Sequence, residues 1–254
     1  MVRMKLLDKV AIITGSGNGI GREIAKAFAK EGAKVVVSDY IAEAGIETTK
    51  MINEAGLEAI FVQADVAKEE DIENLIAATV EKYGTVDILV NNAGISGGLA
   101  DLNDISIEDW DQVMAVNLRA PFLASKIAFR EMSKKGQGNI INIGSMASLA
   151  AGRGGLPYTV SKHGVLGFTR QLSFMLGSRG IRVNAILPGP IDTDMIKRVL
   201  AIPEHPVCMK IGASPAGRAG QPEEIAKLAV FLASEDSAFI HGAAYEVDGG
   251  YTIF

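Results

Sequence analysis

Tyr158 and Lys162 stand four residues apart in the run Tyr158-Thr-Val-Ser-Lys162, and Ser145 precedes them in the chain. If the run is helical, the phenol and the ammonium share a face, with Cβ atoms about 5–6 Å apart. A free phenol, with a pKa near 10, is ionised only about one part in a thousand at neutral pH. An ammonium about 4 Å away is worth roughly 4 kcal/mol at an effective dielectric of about 20, enough to lower such a pKa by up to about three units. The spacing therefore predicts a tyrosine that its lysine makes usable as a base. A Tyr-x-x-x-Lys match alone is weak, because a half-buried ring beside a solvated ammonium has the same spacing. The elements that would position the pair have to decide.

The chain has 254 residues, 48% apolar and 22% charged, the composition of an ordinary globular domain. No apolar run approaches the eighteen or so residues of a membrane span, and Met1 to Lys9 lacks a signal-peptide core, so a cytoplasmic protein with no membrane partner is expected. A formal net charge of −5 offers no basic field for nucleic acid. Cys208 is the single cysteine, and His163, His205 and His241 are far apart, so neither a disulfide nor a metal site is expected.

Val10-Ala-Ile-Ile-Thr14 reads as a buried strand, followed at once by Gly15-Ser-Gly-Asn-Gly-Ile-Gly21 and a helix starting near Gly19. Strand, glycine turn and helix in that order form a pyrophosphate cradle: glycines admit a close backbone approach, and the helix start presents free N–H groups. Gly15, Ser16, Asn18, Gly19, Ile20 and Gly21 are thus candidate cofactor ligands. A second strand, Lys34 to Asp39, ends on a carboxylate 24 positions beyond Gly15. Such a carboxylate accepts from the adenosine ribose hydroxyls and repels a 2′-phosphate. No arginine or lysine lies in Ser16 to Asn18 or Tyr40 to Ala42 to welcome that phosphate, so NAD is expected over NADP.

Alternation continues with a helix near Ala42 to Ala55, a strand Ala59 to Gln63, a helix Glu69 to Tyr83 and a strand Val86 to Val90, the pattern of a parallel sheet. Asn91-Asn-Ala-Gly94 closes that strand. Ser106-Ile-Glu-Asp109 resembles a capping box opening a long helix through Asn117. Pro121, inside it, cannot donate to the Asn117 carbonyl, which is expected to hold an ordered water near the site. Gly138 to Gly144 is a fifth strand with Ser145 just past its end, where open parallel sheets bind ligands. Ile181 to Leu187 is a sixth, ended by Pro188-Gly-Pro190. From Ile191 to about Ala219 the regular pattern is lost although apolar residues abound, which predicts a lid, about residues 190–219, over an apolar pocket. Gln221-Pro-Glu-Glu-Ile opens a last helix, and Ala243 to Asp248 is a final strand. No internal boundary is evident, so a single domain over 1–254 is expected.

In this order Thr14 to Gly21, Asp65, Asn91 to Gly94, Asn117, Ser145, Tyr158 with Lys162, Pro188-Gly189 and Asp248 to Gly250 resemble the motifs of the short-chain dehydrogenase/reductase family. The similarity is to the subgroup containing 3-oxoacyl-carrier-protein reductases, glucose dehydrogenases and polyol or secondary-alcohol dehydrogenases. It covers nearly the whole chain, with no departure at a motif position. The resemblance implies an α/β, Rossmann-type doubly wound parallel sheet of about seven strands with helices on both faces. It implies that Asp39 and Tyr40 flank the adenosine, that Asp65 and Val66 meet the adenine, and that Asn92, Ala93 and Gly94 line the cofactor. Pro188, Gly189, Ile191 and Thr193 would reach the nicotinamide end. Lys162 would bind the nicotinamide ribose and, with Asn117 and water, pass a proton to solvent. A homotetramer is implied as well.

Asn117, Ser145, Tyr158 and Lys162 are then the expected catalytic group of an NAD-dependent enzyme interconverting a secondary alcohol and a ketone. A 3-oxoacyl thioester reductase and a dinucleotide-binding protein without turnover remain alternatives. Residues Ser96 to Asn103, Met146 to Leu156 and the lid would select the small-molecule substrate, and their small, apolar character favours a neutral ketone or secondary alcohol over a polyanion, with a polyol, sugar or hydroxyacyl substrate still open.

Overall fold

The computed structural model describes residues 4–202, 204 and 206–253. Seven parallel strands form one sheet in the order β3-β2-β1-β4-β5-β6-β7. They are β1 (Val10–Thr14), β2 (Lys34–Asp39), β3 (Ala59–Gln63), β4 (Ile88–Asn91), β5 (Gly138–Ile143), β6 (Ile181–Pro188) and β7 (Ala244–Val247). The long helices are α1 (Gly19–Lys30), α2 (Ala42–Glu54), α3 (Glu69–Tyr83), α4 (Ile107–Met114), α5 (Ala120–Lys135) and α6 (Leu156–Leu176). Two short ones, α7 (Asp194–Leu200) and α8 (Pro206–Ala213), precede α9 (Pro222–Ala233).

Residues alternate across the pleat, and both faces are covered. Ala11, Ile13, Val35, Val37, Ile88, Val90, Ile141 and Ile143 pack with Ile24 and Phe28 of α1 and with Ile225, Ala229 and Leu232 of α9. Their sequence neighbours Ile12, Val36, Leu89 and Ile140 face Ile72 and Leu75 of α3 and Leu123, Ile127 and Met132 of α5. β1 lies between β2 and β4, so the chain reverses its progress across the sheet there. The loops leaving β1 and β4 consequently part and open a crevice at the carboxyl edge.

Three expectations are revised. The fourth strand pairs over Ile88–Asn91, two residues later than expected, because the Asp87 carboxylate takes the Val10 N–H (2.9 Å) and pairs with Lys135 where the strand would begin. The long helix is not kinked by a simple break at Pro121: a π-helical segment, Ala115–Arg119, separates α4 from α5, and the Ala120 N–H reaches the Ala115 carbonyl. A wider turn absorbs the step at which proline supplies no donor. The stretch after Ile191 is not irregular but carries α7 and α8. Its two ends meet, with Asp192 N–H on Gly220 O and Gly220 N–H on Pro190 O, both 2.9 Å.

Among the described residues no helix is long and apolar enough to cross a membrane. No group of three potential metal ligands occurs among them either, and His205 lies outside the described residues.

Candidate active site

The sequence-selected residues gather along the carboxyl edge of the sheet. Gly15 follows β1, Asp39 ends β2, Asp65 lies just past β3, Asn92 to Gly94 follow β4, Ser145 lies just past β5, and Pro188 ends β6.

The turn after β1 is shaped by space as much as by backbone freedom. Gly15 has φ +61° and lies against Ala93, where a Cβ would come 2.8 Å from the Ala93 Cα. A Cβ on Gly21 would collide with the Gly15 carbonyl and come 2.5 Å from Asn92 Nδ2. Asn92 holds the start of the turn to the loop after β4, its amide donating to Thr14 O and Gly15 O at 2.9 Å. Asn18, at the start of α1, makes no side-chain cap and the first turn contains no acidic residue, so the N–H groups of that turn stay available to an anion. Ser16 departs from expectation: its hydroxyl donates to Ile13 O (2.7 Å) and accepts from Ser38 N–H (3.0 Å), tying β1 to β2 rather than facing outward.

Asp39 leans over this turn. Its two oxygens accept the Gly17 N–H (2.8 Å) and the Ile41 N–H (2.9 Å), which fixes the carboxylate at the tip of β2. Beneath it, Arg22 and Thr48 hold the Gly17 carbonyl, a support that no motif signalled. Tyr40 is largely exposed beyond it. After β3, Asp65 accepts the Ala67 N–H (3.1 Å) and Val66 is buried.

Pro157, in the first turn of α6, leaves the helix start unstrained, and Tyr158 follows it. Lys162 lies one turn on, 4% exposed, its Nζ donating to Ile143 O at 2.9 Å and sitting 5.6 Å from the Tyr158 ring centre. Burial pushes the ammonium down to about 8 from the ordinary 10.5. Burial also pushes the Tyr158 phenol up, and the Ser145 hydroxyl pulls it partly back. This corrects the electrostatic expectation. In the protein by itself desolvation sets the direction of the phenol's shift, and the ammonium donates to the Ile143 carbonyl.

Ser145 accepts the Ala147 N–H (3.1 Å), and its own N–H donates to Ser148 (3.2 Å), so its hydroxyl proton is left for the phenol or a ligand. The Asn117 side chain is occupied differently from a catalytic amide. It accepts the Ile95 N–H and donates to Ile95 O, both 2.9 Å, and donates to Ser161 Oγ at 3.1 Å. Asn117 thereby clamps the loop after β4 onto α6. Gly94 fits between, its absent Cβ lying 3.4 Å from Asn117 Oδ1 and 3.5 Å from Lys162 Nζ.

At the β6 end, Gly189 packs on Asp248, and the Ile191 side chain turns into the core, leaving only its backbone for a ligand. Thr193 packs against Gly19, 3.3 Å from where its Cβ would be, so the segment entering α7 meets the glycine turn.

Gly154 was not singled out by sequence. Its backbone is ordinary, but a Cβ there would come 2.6 Å from Tyr158 Cδ1. Gly154→Ala is expected to displace the phenol and lower kcat on the order of 100-fold while leaving dinucleotide affinity unchanged. Equal turnover by the variant in a steady-state assay would remove Gly154 from the site.

The buried lysine also predicts a pH effect on stability. Below about 8 it is charged in the folded and unfolded chains alike, and burial penalises the fold in full. Between about 8 and 10.5 the unfolded chain still holds a proton that the folded protein has released, so stability rises with pH. Denaturant titrations of wild type and Lys162→Met should show wild type gaining on the variant across that window by on the order of 3 kcal/mol. Parallel curves would contradict the assignment.

A family model described as enoyl-(acyl carrier protein) reductase matches residues 15–252. The chain is 39% identical to glucose 1-dehydrogenase 2 of Bacillus subtilis, over 98% of this chain and 96% of the relative. It is 40% identical to a 3-oxoacyl-(acyl-carrier-protein) reductase of Chlamydia trachomatis, over 96% and 98%. Among solved structures, a candidate NAD(P)-dependent gluconate 5-dehydrogenase from Beutenbergia cavernae, with NADP bound at low occupancy, superposes with TM-score 0.92 at 36% identity, covering 99% of this chain and 100% of that one. Family match, end-to-end relatives and the order of strands agree: the chain is an oxidoreductase of the short-chain dehydrogenase/reductase family, acting on alcohol or keto groups.

Proposed function

We propose that this protein is an NAD-dependent enzyme interconverting a secondary alcohol and a ketone, with Ser145, Tyr158, Lys162 and Asn117 as its working group. The observation that carries the reading is the convergence of Ser145, the half-buried Tyr158 and the buried Lys162 at the carboxyl edge, beside a glycine turn in which Gly15 and Gly21 leave no room for a Cβ.

The residues fit a nicotinamide dinucleotide. The α1 start and Gly15 to Gly21 suit a pyrophosphate, Asp39 an unphosphorylated ribose, and Asp65 with Val66 an adenine. Asn92 to Gly94, Lys162, Pro188, Gly189, the Ile191 backbone and Thr193 suit the other half. When bound, that group supplies the acceptor or donor of a hydride at the carbinol carbon.

Ser145 donates its hydroxyl proton to the substrate oxygen and fixes it beside the phenol. Tyr158 Oη takes the hydroxyl proton as the carbonyl forms, and returns it in reduction. Lys162 stabilises the phenolate from one helical turn away, and its Nζ also suits the ribose hydroxyls. With its side chain engaged on Ile95, Asn117 can contribute its backbone carbonyl, at the π-helical step, as the seat of a water leading the proton to solvent.

NADP bound to a relative keeps the phosphorylated cofactor as the competing choice, and the 40% identity to a 3-oxoacyl-(acyl-carrier-protein) reductase favours a thioester reductase as second reading. Following NADH and NADPH absorbance with cyclic and acyclic secondary alcohols, diols, aldoses and a 3-oxoacyl thioester separates these. Oxidation of a free alcohol with NAD supports the first; exclusive reduction of the thioester with NADPH overturns it. We also expect a homotetramer. An apolar groove along the long helices, lined by Met114, Leu118, Phe122 and Phe168, supports self-association, which sedimentation velocity reads directly.

A further inference from the structure

Tyr251, near the end of the chain, is 4% exposed, and two cations lie over its ring: the Arg153 guanidinium at 5.3 Å and the Lys210 ammonium at 4.9 Å from the centre. They come from separate elements, the loop between Ser145 and α6 and the lid helix α8. The group borders the site, because Arg153 adjoins Gly154, which abuts the Tyr158 ring. Gly250, next to Tyr251, packs on Pro215 just past α8.

Arg153 is poorly satisfied by its surroundings. Its Nε is buried without a hydrogen-bond partner, and its Nη1 reaches only the Gly152 carbonyl at 3.5 Å. No carboxylate among the described residues pairs with it. A buried guanidinium nitrogen left without an acceptor is costly unless an anion completes it, and a planar fork matches a carboxylate.

We propose that Arg153, stacked on Tyr251 with Lys210, receives a carboxylate of the substrate at the mouth of the site, so that the favoured alcohols are hydroxy acids. The inference rests on the dehydrogenase reading and narrows its substrate class from the neutral alcohols favoured by the sequence. Arg153 acts on specificity here, and hydride transfer remains with the Tyr158 group.

Matched probes test it: 3-hydroxybutyrate, 4-hydroxypentanoate and 5-hydroxyhexanoate, each beside its primary amide. Wild type is expected to prefer at least one acid over its amide in kcat/KM. Arg153→Met should lower kcat/KM for that acid about 100-fold, mainly through KM, and change the amide less than about threefold. Arg153→Lys should restore part of the loss. Equal use of acids and amides by wild type overturns the proposal, as does an equal loss on both in Arg153→Met, which would make the stack a lid fastening. Calorimetric binding of the corresponding keto acids and keto amides to both proteins decides the anion pocket independently of turnover. A wild type that oxidises no alcohol refutes the dehydrogenase reading, yet a preference for keto acids that Arg153→Met abolishes still upholds the pocket.

Discussion

Tyr158→Phe is expected to lower kcat by about 10³-fold or more, the upper range for losing a general acid–base group. Phenylalanine keeps the ring that Gly154 and Lys162 pack against and removes only the oxygen. Because burial opposes ionisation of this phenol, the fold draws nothing from its charged form, and stability should not fall. The loss should therefore appear in kcat with dinucleotide affinity unchanged. Steady-state kinetics beside fluorescence titration of NADH would show both; a variant retaining most of its turnover would place the proton acceptor elsewhere.

Asp39→Ala is expected to reverse cofactor choice. In wild type the carboxylate would stand within a few ångströms of any 2′-phosphate, a like-charge contact worth several kcal/mol. Removing it also frees the Gly17 and Ile41 N–H groups, which now donate to its two oxygens. Two neighbouring backbone donors then face the position a phosphate would take. kcat/KM for NADP should rise and that for NAD should fall, each by about 100-fold. Asp39→Asn should do less, since an amide offers one acceptor to two donors. Were wild type already to use both dinucleotides equally, Asp39 would not be the selector.

β1, β2 and β4 were legible because each is a short run rich in apolar and β-branched residues bounded by turns, and the glycine turn because its glycines stand between a strand and a helix. Position at the carboxyl edge followed from strand order, so Ser145 and Asp39 could be placed by counting. The missed features depend on contacts remote in sequence. α7 and α8 are short, and their segment closes through Ile191 and Gly220. Pro121 signalled a break in the long helix but not its π form. Whether Ser16 and Ile191 point outward or into the core depends on the opposing strand and helix. The energetics were least legible: spacing revealed that Lys162 could approach Tyr158, but not that the lysine would be buried and the phenol sheltered enough for desolvation to set the direction of both shifts.

With desolvation prevailing, Tyr158 becomes a working base only when positive charge is added beside it. Titrating phenolate absorbance in wild type minus Tyr158→Phe, with and without saturating NAD, measures this directly. The phenol is expected to ionise above 10 in the protein alone and well below 10 with NAD bound. A phenol that titrates at the same pH in both states would contradict it.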